Sequence, residues 1–169
     1  DEQIRLVAGR LKVSENALAG LRNVRAKRDS QSAPAPSSSI PESEKSERLY
    51  LAACLSAGAI GREHIDLLTD EILSTPLMRE LRDHLRENFE KPLAGAASLK
   101  PELRDAVTQV AMLSERENAS PKAIQLGFLQ LEKAGLERAL AGSAASDKAK
   151  IELKRQEVIK QLGELTAEF

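Results

Sequence analysis

The chain is poor in aromatic residues. Tyr50, Phe89, Phe128 and Phe169 are the whole supply, and tryptophan is absent. Proteins that hold single strands stack bases on aromatic rings, so little direct nucleic-acid binding is expected. Cys54 is the one cysteine, which excludes a disulfide framework and a cysteine-built zinc site. It fits a reducing compartment, and a cytoplasmic location is expected. An excess of charge of one sign is missing too. Twenty-five basic residues face 26 acidic ones, for a net charge of −1, so no global field draws the chain to a polyanion or a membrane. No apolar run approaches the roughly 20 residues of a membrane helix. No basic stretch with an apolar core opens the chain as a secretory leader would. It opens at Asp1 within a helical pattern and without Met, as a piece of a longer protein is expected to.

Catalytic signatures are missing as well. There is no G-x-x-x-x-G-K-[ST] loop, no H-E-x-x-H and no C-x-x-C. His64 and His84 fall on separate predicted helices and read as surface or half-buried histidines. Cys54 lies in the most apolar helix and reads as a small buried hydrophobe. Asp66, Asp70 and Glu71 are close enough in sequence to suggest a carboxylate pair for a metal, but acids are also favoured at helix ends. No catalytic residue, no cofactor and no metal site is expected.

What the sequence does carry is helical periodicity, with no strand alternation. Ile4, Val7, Ala8 and Leu11 lie at i, i+3, i+4, i+7, and Ser14 precedes a second short pattern through Ala17, Leu18 and Leu21. Residues 1–24 are therefore expected to be a helical remnant of a preceding domain. Residues 25–45 turn to Ser, Pro and Ala, which bury too little to offset ordering entropy. They are expected to be a disordered linker, and Arg22, Arg25, Lys27 and Arg28 are the solvated start of it. Leu49–Leu55 is apolar nearly all round, which predicts a buried helix at the centre of the bundle. Gly58 is expected to end it in a left-handed cap. Ser74-Thr75-Pro76 predicts a helix start, with Leu77, Met78, Leu81, Leu85 and Phe89 on one face. Pro101 opens a helix with a stripe of Leu103, Val107, Val110 and Leu113. Leu49, Ala53, Leu81, Leu85, Val107 and Val110 are expected to be buried together.

Three short patterns carry a family resemblance: Glu47-Arg48-Leu49-Tyr50-Leu51-Ala52, Gly61-Arg62-Glu63, and Leu73-Ser74-Thr75-Pro76-Leu77. Together with the order of remnant, linker, bundle and hairpin, this resembles the C-terminal, helicase-interacting domain of bacterial DNA primase. The resemblance implies a fold that is all-α, a multi-helix bundle followed by a long C-terminal helical hairpin. It implies a bundle over 46–118 and a hairpin over 119–169. It also implies a protein-interaction module that docks on the N-terminal domains of the hexameric replicative DNA helicase, with the parent enzyme's chemistry elsewhere. Two alternatives stand beside it: the N-terminal domain of such a helicase, or a generic helical scaffold.

The hairpin follows from Ser120-Pro121 as a helix start, a turn at 142–147 with Ser146 or Asp147 as the next cap, and spacings of four, three and four through Val158, Leu162, Leu165 and Phe169. That seam is expected to face Ile124, Phe128, Leu131 and Gly135. Ile151, Leu153 and Ile159 are then left without an internal partner, as are Leu129, Leu136 and Leu140. The partner-binding candidates are Ile151, Lys154, Arg155, Val158, Ile159 and Leu162. Deleting Ser120–Phe169 is expected to abolish docking and leave the bundle folded.

Overall fold

The computed structural model describes residues 40–167. The expected N-terminal remnant and most of the linker lie outside the described residues. Ile40–Phe169 forms one compact unit. Six α-helices make up the described part, with no strand: α1 Glu42–Ser56, α2 Ala59–Leu67, α3 Pro76–Glu87, α4 Pro101–Ser114, α5 Pro121–Gly142 and α6 Ala145–Ala167. A short 3-10 turn, Ala96–Ser98, precedes α4. The fold is all-α, as the periodicity predicts.

Helix α1 starts four residues before the expected boundary at Ser46. Pro41 stands at its N-cap, and Glu42 and Glu44 occupy the first turn, where acids complement the positive end of the helix dipole. Glu42 pairs with Lys45 and Glu44 with Arg48. Residues 42–45 are thus helix, not linker.

The centre of the bundle is α1, which touches α2, α3, α4 and α5. Leu51, Ala52 and Cys54 are fully buried there. They pack in one core with Ile65, Leu68, Met78, Leu81, Leu85, Val107 and Val110. Leu49 is the exception to the expected core. It is 49 % exposed, because two residues separate it from Leu51 by about 160° around the helix. Glu47 and Arg48 take interior positions instead. Ala53 is only partly buried against the core.

Two glycines shape the approach of neighbouring helices. Gly58 has φ +60° and ψ −129° and stands at the N-cap of α2. Its positive φ suits glycine, but the conformation is not the expected left-handed helical cap. Gly61 lies where α2 crosses α1, and a Cβ there would stand 1.7 Å from the Cys54 carbonyl oxygen. Thr75 caps α3 by accepting from the Met78 amide, with Pro76 in the first turn, and Ser120 and Pro121 repeat the arrangement in α5.

The hairpin differs from the expected one in which face of α5 meets which neighbour. Ile124 and Leu131 belong to the bundle core, and Phe128 packs against it. A Cβ on Gly135 would lie 2.9 Å from the Glu71 carbonyl oxygen. This face of α5 is therefore turned to the bundle and does not face α6. The hairpin seam uses the other face, where Leu129 is buried outside the core cluster. Val158 is the buried residue of α6. The ion pairs Lys154–Glu132 and Arg155–Glu137 set a register that brings Leu129 level with it. The turn is also shorter than expected. Ser143 ends α5 and α6 begins at Ala145. Asp147 thus lies in the first turn, and neither it nor Ser146 is the cap. Each hairpin helix is about 33 Å long at 1.5 Å per residue.

Candidate docking surface

Three elements meet at a buried carboxylate. Glu47 of α1 accepts from the Ser74 amide at 2.8 Å and from the Ser74 hydroxyl at 2.9 Å. Arg138 of α5 approaches the same carboxylate at 3.7 Å and also donates to the Ile72 carbonyl. Burial raises the Glu47 carboxyl above its ordinary value, while the Ser74 bonds and the Arg138 charge oppose the rise. Glu47 and Ser74 stand 27 residues apart, in two different patterns that carry the resemblance. Gly61 of the third pattern packs on the backbone of Cys54. The residues that looked like a signature are thus the joints of the bundle.

The loop between α2 and α3 is held from its other side by arginines. Arg82 donates to the Leu68 carbonyl and pairs with Asp70 at 2.7 Å. Arg86 donates to the carbonyls of Ile65, Asp66 and Leu68 and pairs with Asp66. The Arg82 bond holds the Asp70 carboxyl below its ordinary value. Asp66 and Asp70 are therefore committed to guanidinium groups, not to each other. Among the described residues no cluster of three or more His, Cys, Asp or Glu could hold a metal ion.

The histidines and the cysteine are placed by packing. His64 stands edge-on to Phe128 with ring centroids 6.0 Å apart, and its Nδ1 lies 3.0 Å from the Ile60 carbonyl. The Nε2 of His84 lies 2.8 Å from the Pro92 carbonyl, to which it donates. Cys54 is fully buried, and burial pushes its thiol up to about 12.

The six partner-binding candidates do not share one exposed face. Val158 is 4 % exposed and closes the seam with α5. Leu162 is half-buried and lines the α5–α6 groove with Leu126 and Ala134. Ile151 is half-buried in a cleft shared with Ile72 and Leu136. Arg155 pairs with Glu137 and Glu152, and Lys154 with Glu132. Ile159 is 40 % exposed. Leu153, at 68 % exposure, lies about 120° from Ile159 around α6. Of the three α6 residues expected to lack an internal partner, Leu153 and Ile159 are exposed and Ile151 is half-buried, and they do not share one face. The apolar residues of α6 divide between the seam and two separate outward positions.

A furrow that the periodicity did not flag runs along the outward side of α5. On one side stands α1, with Leu49, Tyr50 and Ala53 against Ala123, Gly127 and Ala134. On the other stands α6, with Leu162, Gly163 and Thr166. Gln130 and Ala134 line both parts. Gly127 is what lets α1 lie close, since a Cβ there would meet the Tyr50 ring at 2.8 Å. Small residues on the floor and an exposed leucine on the wall were the available signal.

Comparison with protein-family models, with curated proteins and with solved structures finds no match to this chain. No helix among the described residues is long and apolar enough to cross a membrane.

Proposed function

We propose that this chain is the helicase-docking module of a bacterial DNA primase, and that its partner is the N-terminal domains of the hexameric replicative helicase. On this reading it brings primer synthesis to the unwound template in the cytoplasm, and the primase chemistry lies elsewhere in the parent protein. The reading rests on the resemblance stated above. The observation that supports it most is the Glu47–Ser74 contact. Two separated patterns of the resemblance behave as parts of one structural joint, as residues under a shared structural requirement would.

The contact surface is proposed on the hairpin's outward side, where Leu153 and Ile159 are exposed. Apolar side chains set among charges are common at protein contacts. The test is calorimetric titration of the chain into a purified replicative helicase, alongside a chain ending at Ser143 that lacks α6. Binding by the whole chain and none by the shortened one supports the proposal. Equal binding by both moves the contact to the bundle, and no binding by either removes the helicase reading.

A further inference from the structure

We propose that Arg138 is a latch that fixes the angle of the hairpin's far end against the bundle, and that it releases on acidification. The near half of α5 is anchored by Ile124 and Leu131 in the core. Beyond Gly135 the arrangement changes. A cleft of about 540 Å³ opens between the 69–72 loop and the hairpin, with Ile72, Leu136 and Ile151 among its apolar lining and Glu71, Asp147 and Lys150 among its charged lining. Among the described residues, the polar links that cross from this part of the hairpin to the bundle are both made by Arg138. One goes to the Ile72 carbonyl, the other to Glu47.

Gly135 marks the border between the anchored and latched halves. It has the weakest helix propensity of any residue save proline, which eases bending there. An unfilled cleft beside the joint leaves room for such movement.

The charged groups around Glu47 set the direction of the response. Glu44 on α1 repels it and Arg138 from α5 attracts it, while Ser74 of the loop donates to it. Glu117 lines the adjoining groove. Arg138 lowers the Glu47 carboxyl relative to the same carboxyl without it. The unlatched form, with Glu47 still bonded to Ser74, therefore binds a proton more readily, and acid favours it.

This inference stands apart from the helicase reading, because its test uses the chain alone. Fluorophores at Glu102→Cys on α4 and Ser146→Cys at the hairpin tip report the distance between bundle and tip. Both positions are exposed, and the buried Cys54 thiol stays unlabelled. The expected result is one distance at pH 7.5 and a second, longer population growing as pH falls toward 5. Arg138→Gln should show the longer population already at pH 7.5, and Glu47→Gln should make the distribution independent of pH. Circular dichroism checks that each variant is folded, and Arg138→Lys, which keeps the charge without the fork, serves if Arg138→Gln is not. Identical distributions in the wild type and the Arg138 variants at every pH would overturn the latch. An acid response that persists in Glu47→Gln would overturn the role of the carboxylate.

Discussion

Glu47 is 1 % exposed, and its carboxylate is the acceptor for both groups of Ser74. Replacing it with Ala leaves the part-buried amide and hydroxyl of Ser74 short of a partner. Orphaned buried groups cost about 1–3 kcal/mol each before relaxation, so Glu47→Ala should lower the denaturant midpoint by a loss of that order. Glu47→Gln keeps an acceptor and a donor in place and should lose less. The pH dependence separates two carboxylates. Burial raises the folded Glu47 carboxyl above its ordinary value, so the folded state holds the extra proton between the ordinary and the raised value. Acidification through that window adds stability, and rising pH removes it. Asp70 behaves in the opposite sense. The Arg82 bond holds its folded carboxyl below the ordinary value, so its contribution is present above the ordinary value and fades as pH falls through the lowered one. Melting curves across pH should lose the first feature in Glu47→Gln and the second in Asp70→Asn. Gly61→Ala should also destabilise, because its Cβ would overlap backbone that has nowhere to go. Overpacking of this kind costs typically about 1–3 kcal/mol, and an unchanged melting temperature would show that α2 shifts freely.

At the scale of elements, α5 carries the largest difference between expectation and structure. Ile124 and Leu131 lie in the bundle core, while Leu129 faces α6. Deleting Ser120–Phe169 therefore removes part of the core, and the bundle is not expected to stay folded without it. Ending the chain at Ser143 should leave the core intact, with helical circular dichroism reduced by one helix and cooperative melting retained. Loss of cooperativity in that shorter chain would mean that α6 supports the bundle as well. Much of this was legible in sequence. The Thr75-Pro76 and Ser120-Pro121 starts are local chemistry, and the stripe of Leu103, Val107 and Val110 has one apolar face, so its burial follows. Helix α5 has apolar residues on two faces, and spacing alone does not say which meets which neighbour. Gly127 and Gly135 were the available clue, since a missing side chain marks where another backbone or ring comes close. In α1 the same ambiguity hid Leu49, because a helix apolar on every side still has to leave some side exposed. The buried Glu47 was not legible at all, since its partner lies 27 residues away.

For the whole molecule, docking is proposed on the outward side of the hairpin, and the apolar residues of α6 fall into two kinds, one turned into the seam and one exposed. Val158→Asp buries an unpaired carboxylate in the seam, at a cost of several kcal/mol or more unless the helix detaches. Ile159→Asp and Leu153→Asp change exposed positions, where effects on stability are usually within about 0.5 kcal/mol. Calorimetry and thermal melts together should therefore separate the classes. Ile159→Asp or Leu153→Asp should weaken helicase binding at an unchanged melting temperature, whereas Val158→Asp should disturb both. If neither exposed variant alters binding, the furrow between α1, α5 and α6 becomes the surface to change next, starting at Leu49.

The two-residue turn between α5 and α6 also decides how the molecule yields under tension. An antiparallel pair joined at the far tip has its open end beside the bundle. A pull on the C-terminal end of α6, with the start of α1 held, parts the two helices from that open end. Contacts then break a few at a time as a zipper does, without shearing all at once. Among the described residues, Val158 is the one buried side chain that α6 itself contributes along that path, with the Lys154–Glu132 and Arg155–Glu137 pairs beyond it. Helix α6 should therefore peel away at low force and re-seat when the load falls, while the core around Leu51 stays whole. In an optical trap this would read as a small reversible extension well below the force of global unfolding, and a single all-or-none rip would contradict it.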